Sequence, residues 1–142
     1  MKGVGAMISW VIAVCLATPG CGNRIGAPSA ERVPLGREFT LAVGQSVVVD
    51  DTGLRVSLKG VAQDSRCPVD VQCVWEGDAT VSVAAAGAPS PGAQYELHTS
   101  GRFAHEVQHG AYRISLVRLD PARRSTDLPS PHDYRATLLV VR

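Results

Sequence analysis

Two cysteines stand in DSRCPVDVQCVW, residues 64–75, with five residues between them and Trp75, one of two tryptophans in the chain, close behind. Thiols at this spacing are open to metal ligation, redox exchange or a structural disulfide. A zinc site needs about four ligands at close spacing, and no second cysteine pair stands near. A thioredoxin-type centre has two residues between its sulfurs and a βαβ setting, whereas this pair lies among strand-like segments. The expectation is therefore an oxidised staple between Cys67 and Cys73, with redox or metal use as the alternative. In the chain-entropy treatment its seven-residue ring stabilises the fold by about 2.4 kcal/mol. Pro68 restricts Cys67 to extended backbone, and Trp75 is within reach to lay its ring over the sulfurs.

The same segment is rich in charge. Asp64 is expected to accept backbone N–H bonds in the turn, and Arg66 to pack its stem while pairing with a carboxylate such as Asp70 or Asp78. The sharper alternative makes Asp64, Arg66, Asp70 and Trp75 a ligand-facing loop pinned by the disulfide. Asp64, Asp70, Glu76 and Asp78 offer carboxylate oxygens of the kind calcium takes, but their spacing matches no calcium-loop template.

The four histidines are His98, His105, His109 and His132. In a strand His105 and His109 stand about 13 Å apart, too far for one ion. His98 and His105 are the metal candidates, because a turn at Ser100-Gly101 brings their segments together and imidazole suits copper or zinc; solvent-exposed histidines are the plainer reading. No G-x-S-x-G is present, and no serine stands in a context that names its base. Asp50-Asp51 sits in a turn-forming stretch. No catalytic residue is named, no cofactor is implied, and an enzyme is not the expectation.

These residues have to be placed by something, and the start of the chain says where. Lys2 precedes an uncharged apolar run from Val4 to Ala17, followed by small and turn-forming residues before Cys21. That is the layout of an export signal, and the run is shorter than the roughly 18 to 20 residues a bilayer-spanning helix needs. Ala17-Thr18-Pro19-Gly20-Cys21 resembles a bacterial lipobox, which implies lipidation of Cys21, with ordinary cleavage nearby as the alternative. Residues 1–20 are then the signal, 21–35 a Gly- and Pro-punctuated tether, and 36–142 the domain. A lipid anchor holds such a domain on a membrane face. Gly22, where an Asp would retain the protein at the inner membrane, points to the outer membrane, facing periplasm or cell surface.

From Cys21 onward the chain keeps 13 of its 14 basic residues and all 13 acidic ones, so its net charge is near zero. A nucleic-acid binder shows a basic stripe, and the longest local excess here is Arg123-Arg124. Nucleic acid is excluded as a partner.

Short runs of alternating apolar and polar residues follow. In LRVSLKG, Leu54, Val56 and Leu58 share one face, and Arg55, Ser57 and Lys59 the other. Residues 39–43, 46–49, 79–85, 94–99, 111–119 and 134–141 read likewise, and 103–107 more weakly. Turns are expected at 44–45, 50–53, 88–92 and 100–101. In AYRISLVRL the apolar face changes after Leu116, which calls for a bulge there or a strand buried on both faces. No apolar period of 3.6 persists for ten residues after the signal. The expected fold is all-β: a single antiparallel β-sandwich or partly open barrel of seven to eight strands.

The pattern DSRCP, four residues, Cys, one residue, Trp, one residue, Gly falls on Asp64, Ser65, Arg66, Cys67, Pro68, Cys73, Trp75 and Gly77. It resembles a set of uncharacterised bacterial secreted proteins and lipoproteins, and the likeness continues in residues 110–121 and 134–142. The resemblance implies export and this kind of fold, and it adds no substrate. The functional expectation is an envelope-anchored lipoprotein with a binding or structural β module, touching the membrane through its lipid and an unidentified envelope protein or small ligand. The alternative is a periplasmic copper- or zinc-binding protein or an envelope enzyme.

Overall fold

The computed structural model describes residues 30–87 and 89–142. The signal, Cys21 and most of the tether lie outside the described residues. Among the described residues there are nine strands and no helix: β1 (Glu31–Val33), β2 (Glu38–Ala42), β3 (Ser46–Val49), β4 (Arg55–Asp64), β5 (Ala79–Gly87), β6 (Ser90–His98), β7 (Glu106–His109), β8 (Tyr112–Asp120) and β9 (Arg135–Val141). They form two separate sheets, ordered β1-β3-β4-β5-β6 and β2-β9-β8-β7, and no closed barrel.

Period-two alternation builds the core. Val56 and Leu58 of β4, Val81 and Val83 of β5, and Leu97 of β6 point inward from the first sheet and are fully buried. Ile114, Leu138 and Val140 of the second sheet belong to the same core cluster. The arrangement is sandwich-like, with polar residues alternating outward along the strands.

The observed count of nine exceeds the expected seven to eight because of β1, which was not expected. Glu31–Val33, inside the stretch read as tether, forms β1 and pairs in parallel with β3. Three residues are too short to show an alternation, and the only signal is Val33, which is buried. The pairing also makes the first sheet mixed instead of purely antiparallel. The weak segment at 103–107 forms its strand only from Glu106 to His109, because the backbone before it turns back to bond β6, with His98 N–H donating to the Ala104 carbonyl at 2.9 Å. The turn foreseen at 88–92 is tighter than expected, since β6 already begins at Ser90.

The change of face in β8 is a bulge. Its register against β9 shifts between Leu116 and Arg118, so Val117 is pushed outward and Leu119 returns to the core. At 50–53, Asp51 and Gly53 take positive φ, and the Thr52 hydroxyl donates to the Val49 carbonyl at 2.8 Å.

Residues 30–142 hold the described strands, their shared core and both cysteines of the loop. The bulge makes a sharp prediction. Leu116→Ala should cost about 2–5 kcal/mol, as truncation of a buried Leu does, whereas Val117→Ala should change stability by less than about 0.5 kcal/mol. Urea unfolding of the two variants measures both.

Candidate functional site

Three connections meet at one end of the two sheets: 65–78 between β4 and β5, 99–105 between β6 and β7, and 121–134 between β8 and β9. Strand direction brings them there, since Asp64 pairs with Ala79, Thr80 with His98, and Asp120 with Arg135.

The first connection is a hairpin that carries the β4–β5 ladder beyond the sheet. Ser65 N–H donates to the Asp78 carbonyl and Cys67 N–H to that of Glu76, each at 2.7 Å. Cys67 and Cys73 are disulfide-bonded across its tip, with Cα atoms 6.0 Å apart. The Ser65 hydroxyl adds a second bond to the Asp78 carbonyl. Gly77 has φ +72°, and a Cβ there would collide with the Ser65 carbonyl, so only glycine closes this hairpin without displacement.

Arg66 does not reach Asp70 or Asp78; the correction is that its partner is Asp64, two residues back. Its Nε and Nη2 donate to the two carboxylate oxygens at 2.9 and 2.7 Å. The same guanidinium donates to the Leu119 and Pro121 carbonyls at 2.8 Å each, on either side of the cis peptide between Asp120 and Pro121. The Tyr134 hydroxyl donates to Asp64 at 3.0 Å. With the two ionic side chains only 15 % and 8 % exposed, this is a buried pair with most of its hydrogen-bonding capacity met. Burial pushes the Asp64 carboxyl upward, but the Arg66 and Tyr134 hydrogen bonds outweigh it and hold it below the ordinary aspartate value. Burial and the neighbouring Asp64 together push the Tyr134 phenol up.

Asp70 instead accepts from the Ser125 hydroxyl at 2.6 Å and its N–H at 2.9 Å, tying the tip to the third connection. Val69 N–H donates to the Arg123 carbonyl.

Asp78 anchors the second connection. One oxygen accepts the N–H groups of Thr99 and Ser100 at 3.0 and 2.9 Å, and the other meets His98 Nδ1 at 2.6 Å. Burial pushes its carboxyl up, and the His98 and Ser100 hydrogen bonds more than reverse that, leaving it below the ordinary range. Glu76 accepts from the buried Ser100 hydroxyl at 2.6 Å.

The four loop carboxylates thus go to separate partners. His105 does not join His98: its carbonyl accepts from Leu116, and its side chain is exposed. Among the described residues no group of three or more His, Cys, Asp or Glu is placed to hold a metal ion. His109 is buried with Nδ1 against the Tyr95 hydroxyl at 2.9 Å, and His132 is exposed.

Every residue of the 64–77 pattern except Trp75 has a clear role inside the loop. Trp75 is 43 % exposed and carries the Arg102 guanidinium 5.8 Å from its ring centroid. Around it, among exposed charges, the loop end gathers apolar side chains: of eight exposed large hydrophobic residues among those described, six are Val69, Val71, Val74, Trp75, Phe103 and Leu128. Sequence reasoning missed Val74, Phe103, Leu128 and the supporting Tyr134 and Ser125. For the valines a signal existed, because Val69 and Val71 lie inside the disulfide-closed ring and Val74 directly after it, where there is little core to enter.

Comparisons with protein-family models, curated proteins and solved structures found no match.

Two predictions follow from this geometry. Loss of the disulfide in a Cys67→Ser, Cys73→Ser double variant should lower stability by about 2 kcal/mol while leaving both sheets formed, as read by circular dichroism and urea unfolding. For Asp64, a carboxyl whose pKa is lowered by folding stabilises the native state above its unfolded value of 3.8 and ceases to do so as pH falls through the folded value. Asp64→Asn should therefore be about 2–3 kcal/mol less stable than the parent at neutral pH. That gap should narrow only below about pH 4 in a series of unfolding curves.

Proposed function

We propose that this chain is an envelope-anchored lipoprotein, held at the membrane by lipid on Cys21, whose β-sandwich domain is a binding module. Its contact surface is the loop end. The observation that carries this reading is the gathering of six of the eight exposed large hydrophobic residues among those described onto three cross-bonded connections, one of them closed by the disulfide. A single exposed apolar residue needs no explanation, but a concentration on one rigid end marks a contact surface. The lipobox-like Ala17-Thr18-Pro19-Gly20-Cys21 and the apolar run before it support the anchor, and the outer membrane is the proposed location.

A copper or zinc carrier is the second reading, and one observation favours it. Asp78 holds Nδ1 of His98 at 2.6 Å, the arrangement that orients an imidazole for ligation through its other nitrogen. Stoichiometric metal in protein purified without chelator, lost in His98→Ala, would establish that reading.

The main reading is tested in the native cell. A palmitate analogue should label the full chain and fail to label Cys21→Ser; label retained by that variant removes the anchor. A photo-crosslinking residue in place of Val74 should give adducts, and the same residue in place of Lys59 on the outer face of β4 should give none. Equal adducts from both positions, or none from position 74, remove the loop-end surface.

A further inference from the structure

We propose that the loop end docks on a lipid bilayer, giving the domain a second membrane contact besides its anchor; the inference rests on the loop end being the contact surface.

The form of the surface favours lipid. Val74 is fully exposed and Val69 is 62 % exposed, on the tip of a hairpin. Phe103 and Leu128 stand on two other connections, so the apolar groups project from separate loops. The cavity beside them, about 300 Å³, mixes the charged Arg66, Glu76 and Arg123 with Cys67, Val69 and Ala122 in its lining. A folded partner has to match such projections one by one with pockets of its own. Fluid hydrocarbon receives them without shape matching, and moving their apolar surface out of water is favourable. Trp75 beneath the Arg102 guanidinium is an aromatic ring with a cation beside it, the pairing that suits the level of lipid headgroups.

Tether length sets the reach. β4 runs toward the loop end, β3 is antiparallel to it, and β1 is parallel to β3. β1 therefore runs away from the loop end and begins at Glu31, level through Val47 with Val56, eight residues of β4 or about 26 Å short of Asp64. Cys21 precedes Ala30 by nine residues, a span of at most about 30 Å. A lipid on Cys21 keeps the domain within that distance of the bilayer.

Charge defines the kind of docking. The stretches 64–78, 99–105 and 120–135 carry seven carboxylates against five guanidiniums, so attraction to anionic headgroups is not the driving force. Docking is apolar and does not require anionic lipid.

The test uses the chain from residue 21 onward carrying Cys21→Ser, in which Trp75 is the one tryptophan, the other being Trp10. Trp75 emission should shift to the blue on vesicles of phosphatidylcholine and be quenched by brominated acyl chains. The shift should persist in high salt and should not grow when phosphatidylglycerol is added. Val74→Asp should weaken partitioning about tenfold with an unchanged unfolding curve, because Val74 touches little of its own domain. No shift on either vesicle overturns the proposal. Binding confined to phosphatidylglycerol vesicles and abolished by salt also overturns it, in favour of electrostatic adsorption. A blue shift that grows with protein concentration without vesicles assigns the surface to a second copy of the chain. Failure on vesicles together with adducts to a protein from position 74 in cells would overturn the lipid inference alone and leave the loop-end surface standing.

Discussion

The guanidinium of Arg66 joins the two sheets at the loop end. Three of its contacts run to acceptors in different places: the Asp64 carboxylate at the end of β4, the Leu119 carbonyl within β8, and the Pro121 carbonyl just after it. Asp64 in turn takes the Tyr134 hydroxyl from the approach to β9. A sandwich-like pair of sheets packed only through apolar side chains has no directional force fixing how its ends meet. The planar five-donor fork of arginine supplies one, because its bonds are geometrically exclusive. A lysine would bring the charge without the fork. The desolvation cost of burying this pair is offset only because the carboxylate and the guanidinium find several partners at once.

From this junction the rest of the loop end inherits its rigidity. The hairpin that carries the disulfide leaves β4 one residue after Asp64, so the base of the tip is already fixed before Cys67 is reached. Asp78 does the same on the returning side, gathering Thr99, Ser100 and His98 around one carboxylate. The two aspartates have the same electrostatic signature, burial opposed and exceeded by hydrogen bonds, and they stand at the two feet of one hairpin. Between them Asp64, Arg66 and Asp78 turn inward, while Val69, Val71, Val74 and Trp75 stay exposed beside Asp70, Gln72 and Glu76. Large apolar side chains held outside by a bonded framework are the property that calls for a function.

How much of this was legible in the sequence divides along contact distance. Strands with period-two alternation, such as 54–60 and 79–85, announce themselves locally, and so does the bulge after Leu116, where the apolar face changes within one run. The cysteine pair was legible because both partners lie in one short segment. β1 was not, because three residues cannot show a period and its pairing with β3 is tertiary. Arg66 is the exception to contact distance: its carboxylate partner Asp64 is two residues back, but the choice of Asp64 over Asp70 or Asp78 goes with the Leu119 and Pro121 carbonyls, 53 and 55 residues away, which aim the guanidinium. The bond between Asp78 and His98 was hidden because they stand 20 residues apart. Patterns report which face of an element is buried; they do not report which polar groups meet where strands end.

The exposed tryptophan is best understood against that background. In a chain with a modest core, a large aromatic ring would ordinarily be buried, where it contributes strongly to stability. Here Ser65, Arg66, Gly77 and the disulfide hold a short hairpin rigid, and the ring at its base is held outside. Rigidity of this kind stabilises the fold through the disulfide and the Arg66 junction, but the sheets are complete without the apolar tip residues. It also removes the entropy that flexible side chains and loops lose on binding. Fixing the backbone beneath Val69, Val71, Val74 and Trp75 in advance lets the free energy of burying them appear as affinity, which is a physical reason for a fold to maintain an ordered apolar tip in water.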